Sequence, residues 1–297
     1  MSSFRFVFTP PERYRPREIL SFHLRDPRSE SEATTDSGFR KAVLLKGRPA
    51  CVDVDVGDGS IRVRLDAEAD LGRDRAGCAS LIERMLCLRA DMDGFDRRFA
   101  RHPQLGPLIA SRPRLLVPTA FSVFEAVSWA IAGQQISVKA ALSLRRNLVR
   151  LAGTTHHNGM LCHPDAAAVA RLDEDALGGA GFFRTKARAL LQAARLTVSG
   201  ELPLETPAAV PPPQDIARRL SAISGVGAWT VNYVLLRGYG HLDASLEGDA
   251  AVRRGLAALL RRERVDAEET EAWLRQFAPW RTLAAAHIWA MLSDKGF

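Results

Sequence analysis

The 297-residue chain contains little cysteine, little lysine and no long apolar run. Its four cysteines are scattered without a CxxC pair, which predicts reduced thiols and no zinc site. No apolar stretch reaches the ~18 residues that a membrane span needs, and the N-terminus lacks the apolar segment of a secretory signal. We therefore expect a soluble, cytoplasmic protein with no membrane contact.

Positive charge is in excess and is unevenly distributed along the chain. The formal net charge is +7, with 19 basic against 17 acidic residues in positions 1–111 and 22 against 17 in positions 112–297. A basic surplus favours a polyanionic partner, although charge alone carries no information about fold.

The first hundred residues show the alternation typical of strands. Residues 51–56 and 61–65 alternate apolar and polar side chains around Gly57-Asp58-Gly59, which predicts a β-hairpin with one buried face. Together with the elements below, this predicts an α+β domain with an antiparallel sheet over residues 1–105. We also expect a strand at Phe4–Thr9, a polar, mobile loop at Ser29–Ser37, and helices at 75–86 and 91–101.

From Pro118 onward the apolar spacing is helical, so residues 106–297 are expected to form an all-helical region. Its most distinctive part is a two-glycine turn, Gly225-Val226-Gly227, between two helical patterns. The glycines allow a tight turn and leave N–H groups unobstructed at the start of the second helix. Such a helix-hairpin-helix binds an anion, most usefully a phosphate, so we expect the amides from Gly225 to Ala228 to form a phosphate site.

One acidic residue stands out after the hairpin. Asp249 lies twenty-two residues beyond Gly227, directly before a run with helical apolar spacing. It is therefore expected to cap the helix that starts at Ala250. Capping alone is one interpretation, and a catalytic carboxylate that also caps a helix is the other.

Several short motifs accompany the hairpin and Asp249 over roughly residues 105–297. They are Phe124-Glu125, Gly133-Gln134 with Ser137, Trp229-Thr230, Asn232-Tyr233, Leu236-Arg237-Gly238, Pro279-Trp280-Arg281 and His287-Ile288-Trp289. As an ordered set they resemble the helix-hairpin-helix DNA glycosylases, most closely the bacterial 3-methyladenine DNA glycosylase II branch.

The resemblance implies a monofunctional DNA glycosylase that acts on double-stranded DNA. It would flip out alkylated bases of the 3-methyladenine and 7-methylguanine type and hydrolyse the N-glycosidic bond, the first step of base excision repair. The resemblance places the catalytic carboxylate at Asp249 and an aromatic base pocket at Trp229, Tyr233 and Trp289. Such rings would attract a positively charged base by cation–π stacking.

Two further features follow from the resemblance. The turn at Gln134 and Gln135 would insert into the base stack from the minor groove, and this chain departs from its bacterial relative, which has leucine at the position of Gln135. The resemblance also implies a monovalent cation at the backbone carbonyls of Ser221, Ile223 and Val226, and a monomeric protein.

The residues present disfavour strand cleavage and an iron–sulfur cluster. Glycosylases that also cut the strand place a lysine where this chain has Trp229, and no lysine occurs between Lys186 and Lys295. No cysteine follows Cys162, which excludes the C-terminal iron–sulfur cluster of some relatives. We expect no cofactor beyond the structural cation.

Two alternatives to this function remain open. The substrate could instead be an oxidised, deaminated or mismatched base, or the hairpin could belong to a non-catalytic DNA-binding protein. The segment THHNGMLCH, residues 155–163, is interpreted as a polar loop because its spacing matches no zinc motif. Lys186 could contact phosphate or cover the core.

Overall fold

The computed structural model describes residues 2–57, 59–72, 74–204 and 212–292. A five-stranded antiparallel sheet comes first and helices follow it, so the predicted α+β fold class is confirmed. The strand order across the sheet is β1-β5-β4-β3-β2. The strands are β1 (Ser2–Phe8), β2 (Glu32–Thr34), β3 (Gly38–Leu45), β4 (Arg48–Gly57) and β5 (Ser60–Ala67).

The predicted hairpin forms the centre of the sheet. Val54 of β4 lies opposite Val63 of β5, and Val52 lies opposite Leu65, so the apolar residues of both strands share one buried face. This register follows from the period-2 alternation, because a slip by one residue would turn the valines towards water. Asp58 of the connecting turn lies outside the described residues.

The expectation of a polar, mobile loop at Ser29–Ser37 is wrong. Residues Glu32–Thr34 form strand β2, which pairs with β3, and Glu32 is buried. Polar composition misled the prediction because the charge of Glu32 is compensated inside the protein by Lys41 and Arg145.

The expected helices at 75–86 and 91–101 are present as α2 and α3, although α3 ends two residues earlier. The helices are α1 (Pro16–His23), α2 (Arg75–Met85), α3 (Met92–Phe99), α4 (Leu105–Ser111), α5 (Val123–Gly133), α6 (Val138–Ala152), α7 (Ala166–Ala170), α8 (Glu174–Gly179), α9 (Arg184–Ser199), α10 (Pro213–Ser221), α11 (Ala228–Tyr239), α12 (Ala250–Leu259), α13 (Ala267–Arg275) and α14 (Arg281–Leu292).

Two glycines set how closely the helices around the hairpin approach one another. A Cβ added at Gly238 of α11 would lie 2.9 Å from Cγ1 of Val123 on α5, and a Cβ at Gly255 of α12 would overlap Cγ2 of Ile288 on α14. Only the absence of a side chain permits these contacts. The central helices α5 and α11 therefore pack face to face, and α14 packs directly on α12.

The division into domains at residues 105 and 106 stays a prediction. Helix α4 begins at that boundary and packs against both α3 and α14. Within the described part of the chain, no helix is both long enough and apolar enough to cross a membrane.

Candidate active site

The predicted helix-hairpin-helix is formed by α10, the turn at residues 222–227, and α11. Gly225 has φ of +85°, a left-handed conformation that disfavours any residue with a Cβ. The N–H of Val226 donates to the carbonyl of Ile223 at 3.0 Å and closes the turn, while the Val226 side chain is buried. The valine thus anchors the turn in the core.

Gly227 precedes the first residue of α11 and faces open space. It is exposed, and a Cβ built on it meets no atom within 4 Å. The N–H groups at the start of α11 have no carbonyl partner within the helix and lie at the positive end of its dipole. Gly227 and Ala228 therefore border an accessible site with affinity for anions.

The two glutamines of the predicted wedge differ in their environment. Nε2 of Gln134 donates to the carbonyl of Gly225 and to Oγ1 of Thr230, both at 2.9 Å. Gln135 is exposed and has φ of +53°. The structure therefore uses Gln134 to fix the hairpin turn, and Gln135 is the more exposed of the two side chains.

Asp249 is the N-cap of α12, as its position in the sequence predicts. Its Oδ1 accepts hydrogen bonds from the backbone N–H groups of Ala251 at 2.8 Å and Val252 at 3.0 Å. Two indole N–H groups complete the set: Trp289 donates to Oδ1 at 3.1 Å and Trp229 donates to Oδ2 at 2.9 Å. Oδ1 thus accepts three of these bonds and Oδ2 one.

The three aromatic residues predicted from the sequence are brought together with Asp249. Trp229 and Tyr233 are neighbours on α11 with ring centroids 5.2 Å apart, and Trp289 reaches the carboxylate from α14. Both tryptophans are half-buried. Each indole donates from its N–H edge, so the hydrogen bond to Asp249 does not cover its ring faces.

The sequence did not indicate a second group of rings and cations beside this one. The guanidinium carbon of Arg25 lies 4.2 Å from the ring centroid of Phe22 and 4.1 Å from that of Trp129. The guanidinium carbon of Arg237 lies 4.6 Å from the Phe22 ring and 5.8 Å from that of Trp289. No spacing rule connects α1, α5 and α11, so only the folded structure brings these residues together.

A buried ion network joins the sheet to the helices near this aromatic group. Nζ of Lys41 lies 2.6 Å from Glu32 and 2.8 Å from Glu125, and Nη2 of Arg145 lies 2.5 Å from Glu32 and 3.1 Å from Glu125. All four side chains are at least nine-tenths buried. Two cations face two anions, so the cluster is neutral overall.

The network also determines the protonation of its carboxylates. Burial by itself would raise the pKa of Glu32 and Glu125, but the nearby Arg145 and Lys41 outweigh it and hold both pKa values well below their ordinary range. The same carboxylates raise the pKa of Arg145 despite its burial. Glu32, Glu125 and Arg145 are therefore charged at neutral pH.

The THHNGMLCH segment is docked against the sheet and is less solvated than expected. His156 and Cys162 are buried, and the ring of His157 lies 3.4 Å from Asp66 and 3.5 Å from Glu68. One ligand atom each of Asp66, His156 and His157 lie within 4.8 Å of one another. The expected absence of zinc stays a prediction.

The two interpretations of Lys186 are separated by its environment. Its side chain is buried, and Nζ donates to the carbonyl of Ala132 at 2.8 Å. Burial lowers its pKa. Lys186 therefore covers the core at the end of α5 and is not available to a phosphate.

Comparison with known proteins matches this geometry to one superfamily. The family model described as the HhH-GPD superfamily of base excision DNA repair proteins matches residues 128–279, just over half of the chain. The chain therefore belongs to the HhH-GPD superfamily of base excision DNA repair proteins. The resemblance inferred from the hairpin and its accompanying motifs is confirmed.

Individual relatives agree with this assignment. DNA-3-methyladenine glycosylase 2 of Escherichia coli is 31% identical over 191 residues, which cover 62% of this chain and 63% of the relative. The chain thus matches less than two thirds of that relative's length.

Solved structures share the fold. A 3-methyladenine DNA-glycosylase from Archaeoglobus fulgidus superposes with a TM-score of 0.80 over 96% of this chain and 97% of the other, at 20% identity. The Mag1 glycosylase of Schizosaccharomyces pombe, solved in complex with abasic DNA, gives a TM-score of 0.59 over 69% of this chain and 99% of the other, at 22% identity.

Proposed function

We propose that this protein is a monofunctional DNA glycosylase that removes alkylated bases from double-stranded DNA. The observation that carries the proposal is the position of Asp249, whose carboxylate is held by the indole N–H groups of Trp229 and Trp289. Trp229 is the second residue of α11, so this carboxylate lies one side chain away from the accessible hairpin. Relatives named for 3-methyladenine supply the substrate class.

Asp249 would act on the sugar and not on the base. An alkylated purine is positively charged, so the C1′–N bond can break with both electrons leaving on the base, which becomes neutral without an added proton. The sugar then carries the positive charge, which a nearby carboxylate stabilises electrostatically. Water bonds to C1′ and releases its proton to solvent. Oδ2 has more free acceptor capacity than Oδ1 and is the oxygen that would face the sugar.

The pocket rings would select the base by charge. The faces of Trp229, Tyr233 and Trp289 are rich in electrons, and a desolvated cation gains ~1–2 kcal/mol over such a face. A neutral undamaged base lacks this term and has the stronger glycosidic bond. Selection against normal bases would thus come from both binding and chemistry.

The hairpin would hold the DNA backbone. The amides of Gly225, Gly227 and Ala228 would hold a phosphate at the accessible start of α11, while the N–H of Val226 keeps the turn closed on Ile223. The carbonyls of Ser221, Ile223 and Val226 would hold a monovalent cation, and Ser221 ends α10, where the carbonyls carry the negative end of the helix dipole. That cation would bridge the turn and the phosphate. Gln135 would fill the space that the flipped nucleotide leaves.

We also propose that the protein does not cut the strand. A lyase step needs an amine that attacks C1′. Trp229 occupies the position at which lyases carry lysine, and the amine of Lys186 is buried against Ala132. The product would be an intact strand with an abasic site, and the protein would act as a monomer.

Release of free 3-methyladenine and 7-methylguanine from methylated duplex DNA tests the proposal, with wild type compared with Asp249→Asn. We expect the variant to lose at least ~100-fold in single-turnover rate. Equal rates would refute the role of Asp249. Duplexes with single oxidised, deaminated, mismatched or alkylated bases identify the substrate, and salt-sensitive binding without any base release would instead indicate a non-catalytic DNA-binding protein.

A further inference from the structure

The contacts of Arg25 differ from those of the other cation in the aromatic group. Nη1 of Arg237 donates to the carbonyl of Pro118 at 2.7 Å, and the residue is buried within α11. Arg25 follows α1, is half-buried, and stacks on Phe22 and Trp129. Among the described residues its side chain has no hydrogen bond or ion pair. Arg237 is thus fixed by a hydrogen bond, whereas the direct contacts of the Arg25 guanidinium are with two ring faces.

Arg25 remains a cation in this environment. Burial lowers its pKa to about 10, which leaves the guanidinium protonated at neutral pH. A desolvated cation between aromatic rings is stabilised by their quadrupoles. The rings of Phe22 and Trp129 therefore bind a flat, delocalised positive charge in the folded protein.

These two rings are connected to the proposed reaction centre. Trp129 lies one turn before Gly133 on α5, and a Cβ at Gly133 would lie 3.9 Å from the tip of the Trp229 indole. On the other side, Arg237 stacks on Phe22 and also lies 5.8 Å from the Trp289 ring centroid. Gly133 thus lies between Trp229 and the helical turn that carries Trp129, and Arg237 lies between Trp289 and Phe22.

We propose that Phe22 and Trp129 form a clamp for a flat cation, that Arg25 fills this clamp while no base is bound, and that a flipped cationic base displaces Arg25. The inference rests on the function proposed above, in which the substrate is a positively charged base. A guanidinium and an alkylated purine share the required properties of planarity and delocalised charge. Arg25 would then raise the affinity that a base needs in order to enter the clamp, because only a base that stacks better than a guanidinium displaces Arg25.

Binding of a small flat cation tests the clamp without DNA. We would titrate N-methylquinolinium, a permanent cation, and quinoline, which is neutral at pH 8, into wild type, Arg25→Gln and Arg25→Lys by calorimetry. Apparent affinity falls in proportion to the fraction of protein whose site is free, so emptying a clamp that is ~90% filled tightens binding about tenfold. We expect that gain for Arg25→Gln and a smaller gain for Arg25→Lys, with the cation binding more tightly than quinoline to each of the three proteins.

The controls locate the effect. Arg28→Gln removes an exposed arginine three residues further along, and it should leave binding unchanged. Trp129→Leu in the Arg25→Gln background should abolish the gain. Unchanged or weaker binding of the cation by Arg25→Gln would overturn the proposal, and so would binding of quinoline as tight as that of the cation.

A second measurement uses DNA and separates this inference from the proposed function. The ratio of single-turnover release of 7-methylguanine to release of hypoxanthine, a neutral base, should fall in Arg25→Gln, because the neutral base no longer has to displace a guanidinium. An unchanged or higher ratio would show that Arg25 does not exclude neutral bases and would overturn the proposal. If no enzyme variant releases any base, the proposed function fails while the titration still decides whether the clamp exists.

Discussion

Gly255 of α12 lies directly against Ile288 of α14, so closely that an added Cβ would overlap the Ile288 side chain. The contact positions the next residue, Trp289, to donate to Asp249 at the N-terminus of α12. A glycine six residues after the carboxylate therefore determines whether the second indole reaches it.

The first prediction concerns this contact. Gly255→Ala should destabilise the protein, because overpacking costs ~1–3 kcal/mol and outweighs the ~1 kcal/mol that alanine gains in helix propensity. Base release should slow as α14 moves away from Asp249. Chemical denaturation and single-turnover kinetics measure both effects. Gly178→Ala is the matched control, since a Cβ there meets no atom within 4 Å, and it should be neutral or stabilising.

The second prediction separates the two roles of Asp249. Asparagine caps helices as well as aspartate does, whereas loss of a cap to alanine costs ~0.5–2 kcal/mol. Asp249→Asn should therefore keep wild-type stability and Asp249→Ala should not, while both lose base release. Thermal unfolding beside the excision assay measures this. An active Asp249→Asn with an unstable, inactive Asp249→Ala would leave only the capping role.

The third prediction tests the phosphate site at Gly227. Asp and Asn both suit this N-cap position of α11, and there is open space for either side chain. Gly227→Asp should repel a phosphate, whereas Gly227→Asn presents the same shape without charge. We expect DNA binding by fluorescence anisotropy to weaken much more for Asp than for Asn, with both variants fully folded. Equal affinities would place the phosphate elsewhere.

The fourth prediction concerns the buried ion network. Lys41→Met leaves Glu32 and Glu125 with Arg145 as their shared cation, and an uncompensated buried charge costs ~3–5 kcal/mol. The double variant Lys41→Met/Glu125→Gln restores neutrality and should recover part of that loss in urea unfolding. Lys46→Met, which breaks an exposed pair with Asp74, should cost at most ~1 kcal/mol. A double variant that is less stable than Lys41→Met would contradict the charge argument.

The fifth prediction is a pH dependence of stability. Burial lowers the pKa of His23 to about 3, of His163 to about 4 and of His287 to about 3. Below pH ~6.5 the unfolded chain protonates these residues while the folded protein does not, so stability falls as the pH drops towards 4, by at most ~1.4 kcal/mol per pH unit for each histidine.

Two controls test whether the histidines cause this change of the unfolding free energy with pH. The depressed pKa values of Glu32 and Glu125 act only below pH ~4.5, so the interval from 6.5 to 4.5 reports the histidines. His163→Gln should reduce the slope of the unfolding free energy in that interval. A stability that does not change between pH 6.5 and 5 would contradict the prediction.

The sequence predicted features that depend on local pattern. The register of Val54 opposite Val63 follows from alternation, and the hairpin and the cap at Asp249 follow from glycine and N-cap preferences. The buried strand at Glu32 could not be predicted, because its stability depends on Arg145, more than a hundred residues away. Arg25 and Trp129 were missed for the same reason, since their contact joins segments that share no periodicity.

The position of Trp229 between the hairpin and Asp249 affects how the protein would move along a DNA strand. Trp229 is the second residue of α11, and its indole N–H donates to Asp249. One rigid side chain therefore connects the phosphate site at the start of α11 to the carboxylate. Under the proposed function, the offset between the phosphate that is held and the sugar that is probed is constant. Inspection of DNA would then advance in whole-nucleotide steps, because the carboxylate reaches a new sugar only when the hairpin takes the next phosphate.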